Sequence, residues 1–544
     1  MPLIKTLTLP SQTTSSAAST HVAGSEAYYI AATLYELSCK FRWRYWSLVL
    51  SCLASMQLIT GCAVGPDYVR PDVKLPANYV ADTFRSQVGS SPMSTLPVSA
   101  GQNIVQDIVQ NKDIPAMWWE LFHSRQLNEL ITEGLKHNPT VEAAQASLRS
   151  AAENMAAQQA AFFPTVEATF SPTRQKVAGT LASPASSGAA YYNLHTAQVT
   201  VSYTPDIFGA NRRQVESQKA QAEIQRFQLE ASYLTLTTNI VNTAITEAAL
   251  REQIKATRQI VASQQALLDM LEQQYRLGQA SKADIAAQEA LLAASQASLP
   301  GLEKQLAAQR TALATLTGQY ASDDIDVQFN LDQLTLPTPL PLALPAMLVE
   351  QRPDIRAAEE ALRSASAQIG VSIANRLPNV TLGMNAYGSA SHSVADLFTS
   401  GTGFWTLAGN VVQPIFDGGA LRHRQNAAEA TFDQTAALYR STVLNAFQNV
   451  VDALHAIQYD GVAASLNLKA EQAAEKSLSI ARHQLQLGDI SRLSLLSSEQ
   501  AFQQARISSI QARANQLTDT VALFQALGGG WWNRKDETTY LSTK

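Results

Sequence analysis

Few side chains of this sequence stand where they could do chemistry. No Gly-x-Ser-x-Gly elbow, no phosphate-cradling loop and no His-Glu-x-x-His pair occurs. The eight histidines are scattered; His423, His455 and His483 fall in helical stretches and read as surface residues, so no metal and no cofactor is expected. Three cysteines in 544 residues exclude a disulfide scaffold. What remains is one thiol, Cys62, placed directly behind Ile59-Thr60-Gly61.

The context of Cys62 gives it a role. Lys40, Arg42 and Arg44 form a positive cluster before the apolar stretch Trp46–Leu58, and small residues follow. Positive, then apolar, then small is a secretory signal, too short to be a membrane span. The arrangement resembles a bacterial lipobox, which implies that the Cys62 thiol receives a diacylglycerol and becomes the mature N-terminus. The alternative is a thiol in an ordinary cleaved signal. Ala63 in place of Asp is what the resemblance associates with onward transport to the outer membrane. Residues 1–39 look like neither signal nor domain and suggest an over-long gene start; Cys39 and Cys52 lie upstream of the cleavage point.

Composition restricts the rest. The chain is 46% hydrophobic and 16% charged, with a formal net charge of −5. It is too apolar and too weakly charged to be disordered. There is no run of about 18 apolar residues for a membrane helix, and no basic stripe for nucleic acid. Ala, Gln, Ser and Leu take the place of charge, which favours an elongated, helix-rich protein.

The chain repeats itself. His137-Asn138-Pro139 and Gln351-Arg352-Pro353 open Ala-rich helical stretches that both contain Leu-Arg-Ser. Pro164-Thr165-Val166 matches Pro378-Asn379-Val380, and Pro205-Asp206-Ile207-Phe208-Gly209 matches Pro414-Ile415-Phe416-Asp417-Gly418. Leu277-Gly278 matches Leu487-Gly488, and Leu316-Thr317-Gly318 matches Leu527-Gly528, with an offset near 210 residues throughout. The expected division is a signal segment (1–61), a lipidated and equatorial segment (62–135), a first repeat (136–318), an equatorial linker (319–350), a second repeat (351–530) and a tail (531–544).

Each copy reads as a short helix, two strands, a very long helix, a tight turn and a return helix. Period-2 alternation places strands at about 164–177, 191–205, 378–391 and 403–415. Val166, Ala168 and Phe170 share one face; so do Val380, Leu382, Met384 and Ala386, and Trp405, Leu407, Gly409 and Val411. Helices are expected at about 209–277, 281–317, 418–487 and 491–528. Pro164, Pro205, Pro378 and Pro414 mark the strand–helix junctions, because proline ends a helix. Asp206 and Asp417 sit where a cap would accept the first free amides.

A helix from 209 to 277 would be roughly 100 Å long and survives only by packing along its length. Ile285, Leu292, Leu299, Leu306 and Leu313 recur at coiled-coil spacing, as do Ile510, Leu517 and Phe524. Pro300-Gly301 predicts a kink in the first return helix, not a stop. The Trp118-Trp119 and Trp531-Trp532 pairs flank the long helices and read as packing. Tyr191 and Tyr192 are better candidates for an aromatic girdle.

Four one-sided strands cannot close a barrel, and an open sheet edge is forbidden in a bilayer. A threefold ring of chains gives about twelve strands and seals every edge. The same ring sets the helices side by side as a hollow stalk.

Together these residues carry a resemblance. Cys62-Ala63-Val64-Gly65-Pro66-Asp67-Tyr68-Val69-Arg70-Pro71, the Asn-Pro and Arg-Pro-Asp helix starts, the Ile-Phe-Gly and Ile-Phe-Asp-Gly turns, and Leu527-Gly-Gly-Gly-Trp531 are similar to the TolC-like outer-membrane factors, specifically the NodT-type efflux lipoproteins. The resemblance covers residues 62–532. It implies a mixed α and β fold: a homotrimer with a twelve-stranded outer-membrane β-barrel, continuous with a periplasmic α-helical barrel and girded by an equatorial belt. It also implies docking with a periplasmic adaptor and an inner-membrane RND transporter to expel drugs or other small molecules.

The family's stalk narrows at the periplasmic hairpin turns, which match Gly278 and Gly488 and their neighbours. Motif by motif, the constricting leucine falls on Leu493, and ring positions that often carry acids fall on Ser494 and Ser497. No carboxylate occupies either. The matching acid of the first hairpin is Asp284, with Arg492 or Lys282 as a basic partner, although neither holds the family's usual basic position. Asp284 as a solvated helix-start acid and Leu493 as an ordinary seam leucine stay open. Two other functions also stay open: the duct of a type I protein secretion system, and a lipid-anchored coiled-coil scaffold without a pore.

Overall fold

The computed structural model describes residues 63–71, 106, 108–110, 113–176, 191–323, 325–338, 340–342, 347 and 350–534, all within the unit Ala63–Lys544. Cys62 and the signal segment lie outside the described residues. A short strand β1 (Ile108–Gln110) and a 3-10 turn at Trp118–Phe122 come first, followed by α1 (Arg125–His137) and α2 (Pro139–Gln159). Strands β2 (Thr165–Lys176) and β3 (Tyr191–Tyr203) then lead into the long hairpin α3 (Ala210–Arg276) and α4 (Lys282–Leu316). Past β4 (Leu340–Leu342) the order recurs as α5 (Pro353–Ala374), β5 (Asn379–Ser391), β6 (Gly403–Val412), α6 (Ala420–Leu487) and α7 (Arg492–Ala526).

The first copy opens with the expected short helix, α2, and a further helix, α1, precedes it. α1 carries its own apolar stripe, with Leu127, Leu130, Ile131 and Gly134 buried, and it runs across the 135/136 boundary set from the repeat. It stops at His137 because Asn138, extended at ψ 120° before Pro139, leaves the helix and caps α2. The parallel pair β1–β4 also escapes a sequence reading. Three residues are too few to show a period.

α3 and α6 run 67 and 68 residues, roughly 100 Å each. They are supported laterally: α4 packs on α3, α3 on α7, and α7 on α6. The seven-residue series lies in these contacts. Leu292, Leu313, Ile510, Leu517 and Phe524 are buried, and Ile285, Leu299 and Leu306 half-buried. α4 passes through Pro300 without a break. Among the described residues, no helix is long and apolar enough to cross a membrane.

The main core lies where the short helices meet the upper hairpins. Trp118, Phe122, Leu127 and Ile131 pack with Ile240 and Ile245 of α3, Val443 and Val450 of α6, and Val521 and Phe524 of α7. Trp118 stacks on Phe524 at 5.3 Å. Trp531 packs edge-on against Phe227 at 5.8 Å and donates its indole N–H to the Gln351 carbonyl at 2.6 Å. Both tryptophan pairs therefore hold this belt together.

The four long strands form one antiparallel sheet in the order β2-β3-β5-β6. Val166 faces Val201, Val201 faces Met384, and Met384 faces Leu407 across the registers. Leu382, Met384 and Ala386 alternate with half-buried neighbours as expected, and the alternation breaks just beyond, where Tyr387 is exposed as well. A bulge follows Asn385 in both of its ladders, and an extra residue in one strand shifts every later side chain to the other face. The Phe404 ring fills the space over Gly388, where any Cβ would stand 2.4 Å from it.

Candidate functional site

The sheet is incomplete. β2 pairs only with β3 and β6 only with β5 among the described residues, so one edge of each carries a row of unpaired backbone groups. Val166, Phe170, Trp405, Leu407 and Val411 are exposed, Trp405 at 75%. An open edge beside a large apolar face is stable neither in water nor in lipid until other strands close it. Tyr191, exposed at the end of β3, lies under the Lys176 ammonium at 5.4 Å.

Strands turn into helices at four prolines. Pro164 and Pro378 immediately precede β2 and β5; Pro205 and Pro414 follow β3 and β6. Beyond the last two, an aspartate caps the long helix. Asp206 accepts the N–H groups of Asn211 and Arg212, both at 2.9 Å, and Asp417 accepts those of Gly419 and Leu421, both at 2.8 Å. Gly209 and Gly419 enter the helices at φ 80° and 87°, a region that glycine occupies without strain.

An N-terminal strap of residues 63–71 crosses the first of these junctions. Val64 donates its N–H to the Phe208 carbonyl at 3.1 Å. Arg213, almost wholly buried, donates to the Val64 and Gly65 carbonyls and to Asp67 at 2.7 Å. A Cβ on Gly209 would lie 2.5 Å from Ala63 Cα, and one on Gly65 2.4 Å from Gly370 Cα; only glycine permits backbones this close. Farther along, Arg363 covers the Tyr68 ring at 5.1 Å, and Arg70 pairs with Glu359 at 3.2 Å. Burial, with the charge of Glu359 second, pushes the Tyr68 hydroxyl up to about 12. These partners lie more than a hundred residues apart in sequence, and no local signal announces them.

At the far end of the hairpins the two turns are built alike. Gly278 stands at φ 74° and Gly488 at φ 80°. Gln279 and Asp489 donate back to the Gln274 and Gln484 carbonyls at 2.8 and 2.9 Å, closing each helix in a Schellman-like cap. Ser281 and Ser491 then cap the return helices. In the first hairpin the cap is reciprocal: Ser281 Oγ accepts the Asp284 N–H at 3.1 Å, and Asp284 Oδ2 accepts the Ser281 N–H at 2.9 Å. That N–H, then the Ser281 hydroxyl, holds the Asp284 carboxyl below its ordinary range. In the second hairpin Ser494 occupies the same cap position, with its N–H on Ser491 Oγ at 3.2 Å.

The sequence-derived gate residues thus lie in the first turns of α4 and α7. Both turns are at one end of the hairpins, since α3 and α7 pack alongside through Gln253–Gln511 and Glu252–Arg506. Ser494, Ser497 and Asp284 are exposed, and Leu493 is 45% exposed, beside exposed Leu277 and Leu487. Among the described residues neither Lys282 nor Arg492 forms an ion pair with Asp284; the cap engages it instead. The turns present leucine and hydroxyl beside the exposed charges of Arg276, Lys282, Asp489 and Arg492, and Asp284 is tied to its own helix.

Comparison with known proteins agrees with this architecture. The family model described as outer membrane efflux protein matches residues 130–319 and 344–529. The pyoverdine export outer membrane protein OpmQ of Pseudomonas putida is 30% identical over 419 residues, 76% of this chain and 88% of that protein. The toluene efflux pump outer membrane protein TtgC of Pseudomonas putida is 27% identical over 487 residues, 89% of this chain and 96% of that one. Among solved structures, the outer-membrane channel OprN superposes with a TM-score of 0.73 at 25% identity, covering 86% of this chain and all of OprN.

Proposed function

Because the chain belongs to the family of outer membrane efflux proteins, we propose that it is the passive exit duct of a tripartite system for drugs or other small organic molecules. It is an outer-membrane efflux channel, a trimer whose strands form a β-barrel and whose long helices form a periplasmic α-helical barrel. The observation that carries the reading is the four-stranded sheet with two open edges, feeding through capped junctions into helices roughly 100 Å long. Three such sheets give the twelve strands of a closed barrel. The carriers that load it are a periplasmic adaptor and an inner-membrane RND transporter.

The finer assignments rest on the same frame. Residues 136–318 and 351–530 act as two structural repeats joined by the linker 319–350. The Cys62 thiol carries the lipid that anchors the chain in the outer membrane. Leu493, Ser494 and Ser497 line the closed periplasmic tip, with Asp284 bordering it. A duct of this kind needs no catalytic group; cargo selection then belongs to the pump. The test is deletion of the gene with re-expression in trans. Hypersensitivity to pump substrates, reversed by the wild-type chain and accompanied by single-channel currents from the purified trimer in planar bilayers, is the expected result. A purified protein that stays monomeric and conducts nothing would remove the reading.

A further inference from the structure

The second hairpin contains a pair of acids far from its turn. Asp460 on α6 and Asp519 on α7 lie equally far from the turn, about 27 residues or roughly 40 Å up the stalk. The antiparallel packing of the two helices therefore sets them opposite each other. Gly461 and Gln516 meet in the same layer, where a Cβ on Gly461 would be 3.7 Å from Gln516 Nε2. Asp519 Oδ2 is buried without a hydrogen-bond donor, and Asp460 is the charged group that acts on it. Two carboxylates cannot bond to each other; one proton between them makes the contact possible.

We infer that Asp460 and Asp519 form a proton-dependent latch in the stalk, which holds α6 to α7 while one proton is shared and loosens them when it leaves. Burial, with the Asp460 charge and hydrogen bond adding to it, raises the Asp519 carboxyl to about 7. The surrounding charges do not intervene. On α6 the nearby titratable groups are Asp452, His455 and Tyr459; on α7 Arg513 is turned to Asp332 of the linker at 2.6 Å; on α3 Glu252 is held by Arg506 at 3.1 Å. The segment before β1 contributes the neutral Gln106, bonded to Thr520 at 2.9 Å. Asp460 alone among them acts on Asp519. The folded pair keeps a proton that an unfolded aspartate gives up near 3.8. The latch therefore weakens as pH rises from about 4 to about 7, and further ionisation above that completes the loss.

The experiment is amide hydrogen exchange on the detergent-purified full chain at about pH 5.5 and about pH 8, corrected for intrinsic rates. A single proton titrating near neutrality predicts a roughly thirtyfold rise in the opening constant of α6 and α7 around these two residues. Asp519→Asn and Asp460→Asn each keep a neutral hydrogen-bond partner and should abolish that rise. Should either variant fail to assemble, the wild type still decides: a protonated-carboxyl infrared band at neutral pH, lost above about pH 8, is required. A pH-independent wild type, or the same pH response in an assembled Asn variant, overturns the latch. Neither result bears on whether the trimer conducts.

Discussion

Asn138 and Arg352 hold equivalent places in the two copies of the repeat, and each donates to the last carbonyl of its own return helix. Asn138 Nδ2 reaches the Leu316 carbonyl at 3.0 Å, and Arg352 Nη1 the Ala526 carbonyl at 2.8 Å. Chemically unlike side chains thus close the two copies the same way, tying the start of each repeat to its end. The Asn138 carboxamide also caps α2 through the Thr140 N–H at 2.9 Å.

Replacing Asn138 by Ala therefore removes a cap and leaves a helix-end carbonyl without its donor. The expected loss is about 2 kcal/mol, the sum of a cap and a half-buried hydrogen bond. Arg352→Ala should cost at least as much, because its buried guanidinium also pairs with the half-exposed Asp354 at 2.6 Å. Denaturant titration of the purified trimer, followed by helix signal, measures both. Indifference to either substitution would contradict the closing role.

The two hairpin glycines predict a conformational cost without a steric one. A Cβ at Gly278 or Gly488 meets nothing within 4 Å, yet both residues sit at positive φ. Ala at either place should destabilise its turn by about 1 kcal/mol. Gly209→Ala should be worse, since the same backbone cost is joined by collision with Ala63. Thermal dissociation temperatures of the three variants should fall in that order.

Asp284 gives a pH prediction with a definite sign. Its carboxyl is held below the ordinary value by the Ser281 N–H and hydroxyl, so the folded state releases that proton more readily than the unfolded chain. The cap's contribution is complete above about pH 4 and disappears as pH falls through the lowered value. Hydrogen exchange in the first turn of α4 should quicken on acidification in the wild type. In Asp284→Ala it should be fast at every pH.

At the tip, Ser494 and Ser497 present hydroxyls on exposed positions. A carboxylate placed on a narrow threefold axis acts three times over. Ser497→Asp should raise cation selectivity at low salt in planar bilayers, with the effect screened away toward 1 M salt. Unchanged selectivity would place Ser497 off the conduction path.

Much of this molecule can be read from local chemistry. The prolines at 164, 205, 378 and 414, the aspartate caps at 206 and 417, and the glycines at 278 and 488 each act on the few residues beside them. The chain declares such features wherever they occur. Even the need for partner chains follows from counting strands against the demands of a bilayer.

Tertiary structure decided the rest, because those contacts join residues that have no proximity in sequence. The strap on Arg213, the β1–β4 pair and the Asn138 and Arg352 closures depend on where the chain returns, and neither residue type nor period encodes that. The bulge after Asn385 belongs here too, since a ladder's register exists only once two strands have met. So does the facing of Asp460 and Asp519: each alone is an ordinary helix acid, and only the packed hairpin makes them share a proton.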